Sequence, residues 1–129
     1  MITIAAIALG AFIGAPLRAL VEQFAGRTRS ALTTLLIINS LGSLLAGFSL
    51  GAFTGDVRTF FITGLAGAFT TFSGWALALS VFSRELVESG VSQTARYTRM
   101  GLVIVVAIGI PLLSLWIGWL ISEFLFVTN

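Results

Sequence analysis

The sequence contains no cysteine, no histidine and no lysine, and charged residues make up only 9% of its 129 residues. Without cysteine or histidine, thiol chemistry and disulfides are excluded, and the usual transition-metal ligands are lacking. The scarcity of charge accompanies 57% hydrophobic residues and a mean hydropathy of +1.07. A water-soluble domain of this composition would expose large apolar patches. The chain is therefore predicted to be an integral membrane protein.

Four long intervals carry no charge, and they run over Met1–Leu17, Ser30–Gly55, Thr59–Ser83 and Met100–Ser122. Each approaches or exceeds the roughly 20 residues that a helix needs to cross the hydrocarbon. We predict one all-α membrane domain over residues 1–129, with spans at 2–22, 31–54, 58–83 and 99–123. Continuous apolar runs exclude a β-barrel, whose strands alternate. Too little chain remains outside the spans for a catalytic domain, so no enzyme is expected.

The basic residues are all arginine and lie at span ends and in loops, which favours a role in topology over nucleic-acid binding. With four spans, both termini and the loop around Asp56 share one side, which has only Arg58. The other side has Arg27, Arg29, Arg84, Arg96 and Arg99. Because arginine-rich loops stay in the cytoplasm, we predict that most copies insert with both termini outside. The longest connection, Arg84–Arg99, has room for a short surface helix.

Small and polar residues recur every four positions, at Gly10, Gly14 and Arg18 on the first span and at Asn39, Ser43, Gly47 and Gly51 on the second. The glycines predict close helix packing. An amide near mid-membrane is costly unless it is paired. Two interpretations of Asn39 therefore stay open: it joins helices, or it lines a polar path.

The interior of the third span, TGLAGAFTTFSGW from Thr63 to Trp75, contains three glycines and two adjacent β-branched threonines. This composition makes a poor helix. We predict a break near the centre of the bilayer, where irregular backbone persists only when it is buried in protein or lines a cavity. Broken helices of this kind commonly serve ions, with carbonyls facing a cation and amides or hydroxyls facing an anion.

No aspartate, glutamate or lysine lies inside the four charge-free intervals. A proton-coupled exporter, such as a small multidrug resistance transporter, needs a buried carboxylate, and that group is missing. The interior instead offers neutral donors and the electropositive edges of aromatic rings. Those donors belong to Asn39, Thr70, Thr71, Ser73 and Ser114. Such a lining suits a small anion.

Three runs resemble the CrcB/Fluc family of fluoride channels: Gly10–Arg18 (GAFIGAPLR), Thr34–Ser43 (TLLIINSLGS) and, most specifically, Thr63–Ser73 (TGLAGAFTTFS). The similarity extends over the whole chain in span number, length and motif order. It implies an antiparallel dimer with two narrow pores, a structural Na⁺ at its centre, and passive fluoride efflux through the inner (plasma) membrane. The second subunit would be another copy or a paralogous chain.

The resemblance also assigns residues. The carbonyls that would hold Na⁺ map onto Gly67 and Thr70, and the first-span arginine maps onto Arg18. Thr71 is assigned to the fluoride path because it is one of the neutral donors of the interior. The resemblance adds Asn39, Phe72, Ser73, Trp75 and Ser114 to this path.

Four positions depart from the family pattern: Trp75 replaces a phenylalanine, Gly74 a threonine, Ala78 a glutamate, and Ile110 a hydroxyl residue. These changes weaken one pore lining and imply slower conduction or two unequal pores.

Other roles remain open for the same residues. Phe72 and Trp75 could fill a core, Ser114 could serve helix packing, and Arg18 could anchor the first span at the interface. For the whole chain, a proton-coupled transporter and a non-conducting structural subunit are the alternatives to a fluoride channel.

Overall fold

The computed structural model describes residues 1–27 and 29–126, and every regular element among them is helical. Four helical stretches are long and apolar enough to cross a membrane: Ile2–Ala25, Ala31–Ala52, Gly55–Glu88 and Gln93–Phe126. This confirms the prediction of an all-α chain with four spans. We call the first two helices α1 and α2.

The third stretch is interrupted, as the glycines and threonines of its centre predict. Helix α3 (Gly55–Thr59), a π-helix (Phe60–Ala66) and α4 (Gly67–Phe69) follow one another directly, and α5 (Ser73–Glu88) begins after a gap. Thr70, the first residue of the gap, is extended, with ψ 161°. Residues 70–72 are called the break below. The fourth stretch is α6 (Gln93–Phe126).

The helices pack as two interleaved pairs, with α1 along the π-helix and α2 along α6. Glycines permit both contacts. A Cβ added to Gly10 or Gly14 would overlap the backbone of the third span, and one on Gly47 would overlap the carbonyl of Leu115 in α6. A Cβ on Gly51 would meet the α6 side chain of Ser122. The predicted packing role of these glycines is confirmed.

One end of the molecule gathers the start of α1, the turn before α3 and the end of α6. The hydroxyl of Thr3 donates to Asp56 Oδ1 at 2.7 Å, and the rings of Phe48 and Phe126 lie 6.1 Å apart. The connections from α1 to α2 and from α5 to α6 therefore lie at the opposite end. The structure thus has Arg58 at the first end and the other loop arginines that it describes at the second.

The connection Arg84–Arg99 holds no separate surface helix in the part of the chain that the structure describes, so that expectation was wrong. Helix α5 continues to Glu88 and α6 already begins at Gln93. The charges do not mark the end of a helix, because arginine and glutamate are good helix formers. At 34 residues, α6 is about 51 Å long and outreaches the roughly 30 Å hydrocarbon layer.

Candidate functional site at the interrupted helix

Asn39 on α2 binds the backbone of Thr71 in the break with both ends of its side-chain amide. Its Nδ2 donates to the Thr71 carbonyl at 3.2 Å, and its Oδ1 accepts from the Thr71 N–H at 3.0 Å. Asn39 therefore joins α2 to the third span, which is one of the two interpretations that the sequence leaves open.

The hydroxyls of the break contact the neighbouring backbone. Thr71 Oγ1 accepts from the N–H of Gly74, in the first turn of α5, at 3.1 Å, and lies 3.3 Å from the Ser73 hydroxyl. Thr70 Oγ1 donates to the Ala66 carbonyl one turn back at 2.9 Å. These bonds fix the ends of the two helical halves that meet at the break.

Arg18 reaches the break from α1. Its Nη1 donates to the carbonyl of Thr70 at 3.3 Å, and its Nε lies 3.8 Å from a carboxylate oxygen of Glu22. The side chain is 33% exposed. Arg18 is therefore more than an interfacial anchor, because it satisfies a carbonyl that the interruption removes from the helix.

The break opens into a groove of about 560 Å³ between α2, α5 and α6. The groove is lined by Asn39, Ser43, Thr70, Thr71, Phe72, Trp75, Leu79, Ile104, Ala107, Ile108, Pro111 and Leu112. It therefore gathers Asn39, Thr71, Phe72 and Trp75 from the expected fluoride path. Ser73 and Ser114 are not among the described residues that line the groove. The hydroxyl of Ser114 donates to the carbonyl of Ile110 in its own helix, at 2.9 Å.

The two aromatic residues of the expected path differ sharply in burial. Phe72 is 88% exposed, whereas Trp75 is 7% exposed and packs with Leu35 and Ala78 in a small core cluster. Trp75 thus fills a core while one of its surfaces forms the groove wall. Its Nε1–H is buried and has no hydrogen-bond partner in the described part of the chain.

Packing explains two of the departures from the family pattern. A Cβ on Gly74 would lie 2.9 Å from the Thr71 Cγ2 and 3.0 Å from the Leu35 Cδ2, so the site has little room for a side chain. Ala78, in the same cluster as Trp75, leaves space for the indole. No contact in the structure explains Ile110.

Sequence reasoning missed the wall that α6 contributes, from Ile104 to Leu112. A proline inside a span is the signal that marks it. Pro111 has no N–H to donate to the carbonyl of Ala107 four residues earlier, and both residues line the groove.

The described residues hold no cluster of three or more aspartate, glutamate, histidine or cysteine side chains that could bind a metal ion. Backbone carbonyl oxygens at the break are the remaining groups that could coordinate a cation. In a continuous helix the Gly67 carbonyl would accept from the N–H of Thr71, but that N–H is bound to Asn39.

Comparison with known proteins gives a consistent family. Residues 5–119 match the family model described as CrcB-like protein, Camphor Resistance (CrcB). A protein of Paramagnetospirillum magneticum named fluoride-specific ion channel FluC is 33% identical over 92% of this chain and 93% of its own length.

Two further proteins with the same name match over shorter stretches. The Legionella pneumophila protein is 45% identical over 62% of this chain, and the Methanococcus maripaludis protein is 43% identical over 52%. The alignments span 65% and 59% of those two proteins.

Proposed function

This chain belongs to the CrcB family, and we propose on that basis that it is a subunit of a fluoride-specific channel, not an enzyme. Hydrogen fluoride enters a cell uncharged and dissociates inside, so the trapped anion needs a passive way out. The proposed location is the inner (plasma) membrane, in keeping with four apolar helices.

The observation that carries the proposal is the break, which faces a groove lined by neutral donors and aromatic rings. Asn39, Thr71, Phe72 and Trp75 form the proposed fluoride path beside it. Ser73, whose hydroxyl lies 3.3 Å from that of Thr71, and Ser114 on α6 are proposed members that the groove of a single chain leaves outside. Ring edges and amide protons can replace the water of a small anion without a fixed positive charge.

A liposome assay tests this function. Purified protein in vesicles loaded with fluoride and chloride should release fluoride, measured with an ion-selective electrode, while chloride stays inside. Collapsing the proton gradient should leave the rate unchanged. Release that depends on a proton gradient would favour a small multidrug resistance-like transporter, and absence of release would favour a non-conducting structural subunit.

A pair of variants tests the groove in the same assay. We expect Phe72→Ile to slow fluoride release by about tenfold, because it removes a ring edge at the break, a change of about 1.4 kcal/mol. Phe24→Ile, which alters an exposed ring near the end of α1, is the matched control and should release fluoride at the wild-type rate. Equal rates in both variants would contradict the assigned path.

We further propose that the channel is an antiparallel dimer. The groove is open on one side, and Phe72 is 88% exposed beside it. In a bilayer, a second subunit that packed against this ring would be held by van der Waals contacts, because lipid tails are themselves apolar. The second subunit is either another copy of the chain or a paralogous chain of opposite orientation.

A structural Na⁺ at the dimer centre is part of the proposal. The donors fit such an ion in chemical type, because carbonyls at the ends of half-helices are common sodium ligands. The Gly67 carbonyl belongs to the last helical turn before the break, and the Thr70 carbonyl has a second lone pair beside the one that Arg18 uses. When bound, the ion would neutralise the dipoles of these carbonyls.

The test of this site separates backbone from side chain. Gly67→Leu combined with Thr70→Leu favours a continuous helix and should abolish sodium binding, measured by ²³Na NMR, along with fluoride release. Thr70→Val alone keeps a β-branched residue at the break and should change both far less. Normal release and sodium binding in the double variant would refute the site.

A further inference from the structure

We infer that Asn39 is a positioning residue that holds the third span open, by making the two hydrogen bonds that Thr71 would make in an unbroken helix. The inference deepens the proposed function and rests on it only for the effect on fluoride.

In a continuous helix, Thr71 would have two backbone partners. There, the N–H of Thr71 would bond to the carbonyl of Gly67, and the carbonyl of Thr71 would accept from the N–H of Trp75. In the structure the N–H of Thr71 donates to Asn39 Oδ1 at 3.0 Å, and its carbonyl accepts from Asn39 Nδ2 at 3.2 Å. One amide side chain thus substitutes for both helical partners.

The surroundings of Thr71 make these two bonds necessary. Both bonds are partly buried, and within a bilayer an unpaired backbone group has no water to bind. Without the amide, Thr71 would have to leave its backbone groups unpaired or turn back into the helix and bond to Gly67. Either change alters the break, so the side chain of α2 controls the backbone of the third span.

The amide of Asn39 has one donor proton beyond the one that Thr71 uses. Nδ2 carries two protons, of which Thr71 takes one. Asn39 also lines the groove, so the second proton remains available to an anion there. Positioning and anion contact are therefore separate tasks of one side chain and can be separated by experiment.

The sequence offers a selective probe. Adjacent threonines occur only at Thr33–Thr34 and Thr70–Thr71. In protein labelled with threonine carrying both ¹³C at the carbonyl and ¹⁵N at the amide, a carbonyl-to-amide correlation spectrum therefore shows two signals, those of Thr34 and Thr71. The N–H of Thr34, in the first turn of α2, bonds to the carbonyl of Ser30 at 3.0 Å and serves as the internal control.

We expect Asn39→Ala to move the Thr71 signal and leave the Thr34 signal in place. An unchanged Thr71 signal in this variant would overturn the inference. If both signals move, the variant has lost its fold. Asn39→Asp then tests whether Asn39 positions the backbone of Thr71.

Asn39→Asp keeps an oxygen that accepts from the N–H of Thr71 but loses the amide protons. Amide hydrogen exchange at Thr71 should stay within about threefold of wild type in this variant, while fluoride release falls by at least about tenfold. Exchange accelerated by tenfold or more in Asn39→Asp would overturn the inference. Absence of release from the wild-type protein would refute the proposed function alone, because both NMR signals are measured without fluoride.

Discussion

The indole of Trp75 is the bulkiest side chain in the groove wall, and its buried N–H finds no partner among the residues described. An unpaired buried donor costs roughly 1–3 kcal/mol. Ala78, one turn later in the same cluster, leaves space for the indole, and the glycine before Trp75 leaves space for Thr71 and Leu35. At this position the chain therefore combines tight packing with a groove that the indole makes narrower than a phenylalanine ring would.

Replacing Trp75 with phenylalanine should speed fluoride release, because the smaller ring widens the groove and keeps an aromatic edge. Stability should change by less than about 1.5 kcal/mol, since the lost contacts are offset by removal of the unpaired N–H. Release rates and thermal melting in detergent measure the two effects. Trp116→Phe, at an exposed ring on α6, is the control and should change neither. Slower release from Trp75→Phe would contradict the idea that the indole of Trp75 narrows the groove.

At the scale of helices, glycine determines how closely α2 and α6 approach. A Cβ on Gly47 would overlap the carbonyl of Leu115, and one on Gly118 would overlap the carbonyl of Leu44. These neighbours are backbone atoms, which cannot turn aside as a side chain can. The contact is therefore sensitive to a single methyl group on either helix.

Gly47→Ala should accordingly lower the free energy of unfolding by about 1–3 kcal/mol through overpacking. Gly101→Ala is the matched control, because a Cβ there meets nothing within 4 Å. It should be neutral or stabilising by up to about 1 kcal/mol. Equilibrium unfolding in mixed micelles compares the two. An equal effect of both substitutions would show that the approach of the helices does not limit stability.

Sequence patterns predicted most of the elements but few of the partners. Charge-free runs gave the spans, and the weak helix formers around Thr70 and Thr71 gave the break. The bonds between Asn39 and Thr71 join residues far apart in the chain, so no local pattern contains them. The burial of Trp75 likewise depends on Leu35 of another helix. Ser73 and Ser114 do not line the groove of the single chain, so their proposed contact with fluoride requires the proposed second subunit.

At the scale of the whole molecule, arginine is distributed unequally between the two ends. The Thr3–Asp56 bond and the Phe48–Phe126 contact fix which helix ends lie together. Arg58 lies at that end. Its Nε donates to the carbonyl of Phe53 at 2.8 Å, at the end of α2. Opposite it lie Arg27, Arg29, Arg84, Arg96 and Arg99, a bias that favours one orientation in the membrane.

We therefore expect a reporter fused to the C-terminus to be active outside the cytoplasm. Residues 127–129 lie outside the described part, but α6 ends at Phe126 on the arginine-poor side. Paired fusions, one to an enzyme active only outside and one to a protein fluorescent only inside, measure the orientation. Signal from the outside alone would support a paralogous partner of opposite bias. Comparable signals from both fusions would indicate dual insertion and a homodimer.

The interleaved pairing of helices also has a consequence for biosynthesis. Spans leave the ribosome in order, yet α1 packs mainly on the third span and α2 mainly on α6. When α1 and α2 alone have entered the membrane, α1 lacks the third span and α2 lacks α6. The glycines through which they would contact those helices, Gly10 and Gly14 on α1 and Gly47 and Gly51 on α2, are then still uncovered. Assembly of the chain therefore waits for the third span and is completed only after α6, so a nascent chain stalled before α6 would present the membrane quality-control proteases with an unpaired α2.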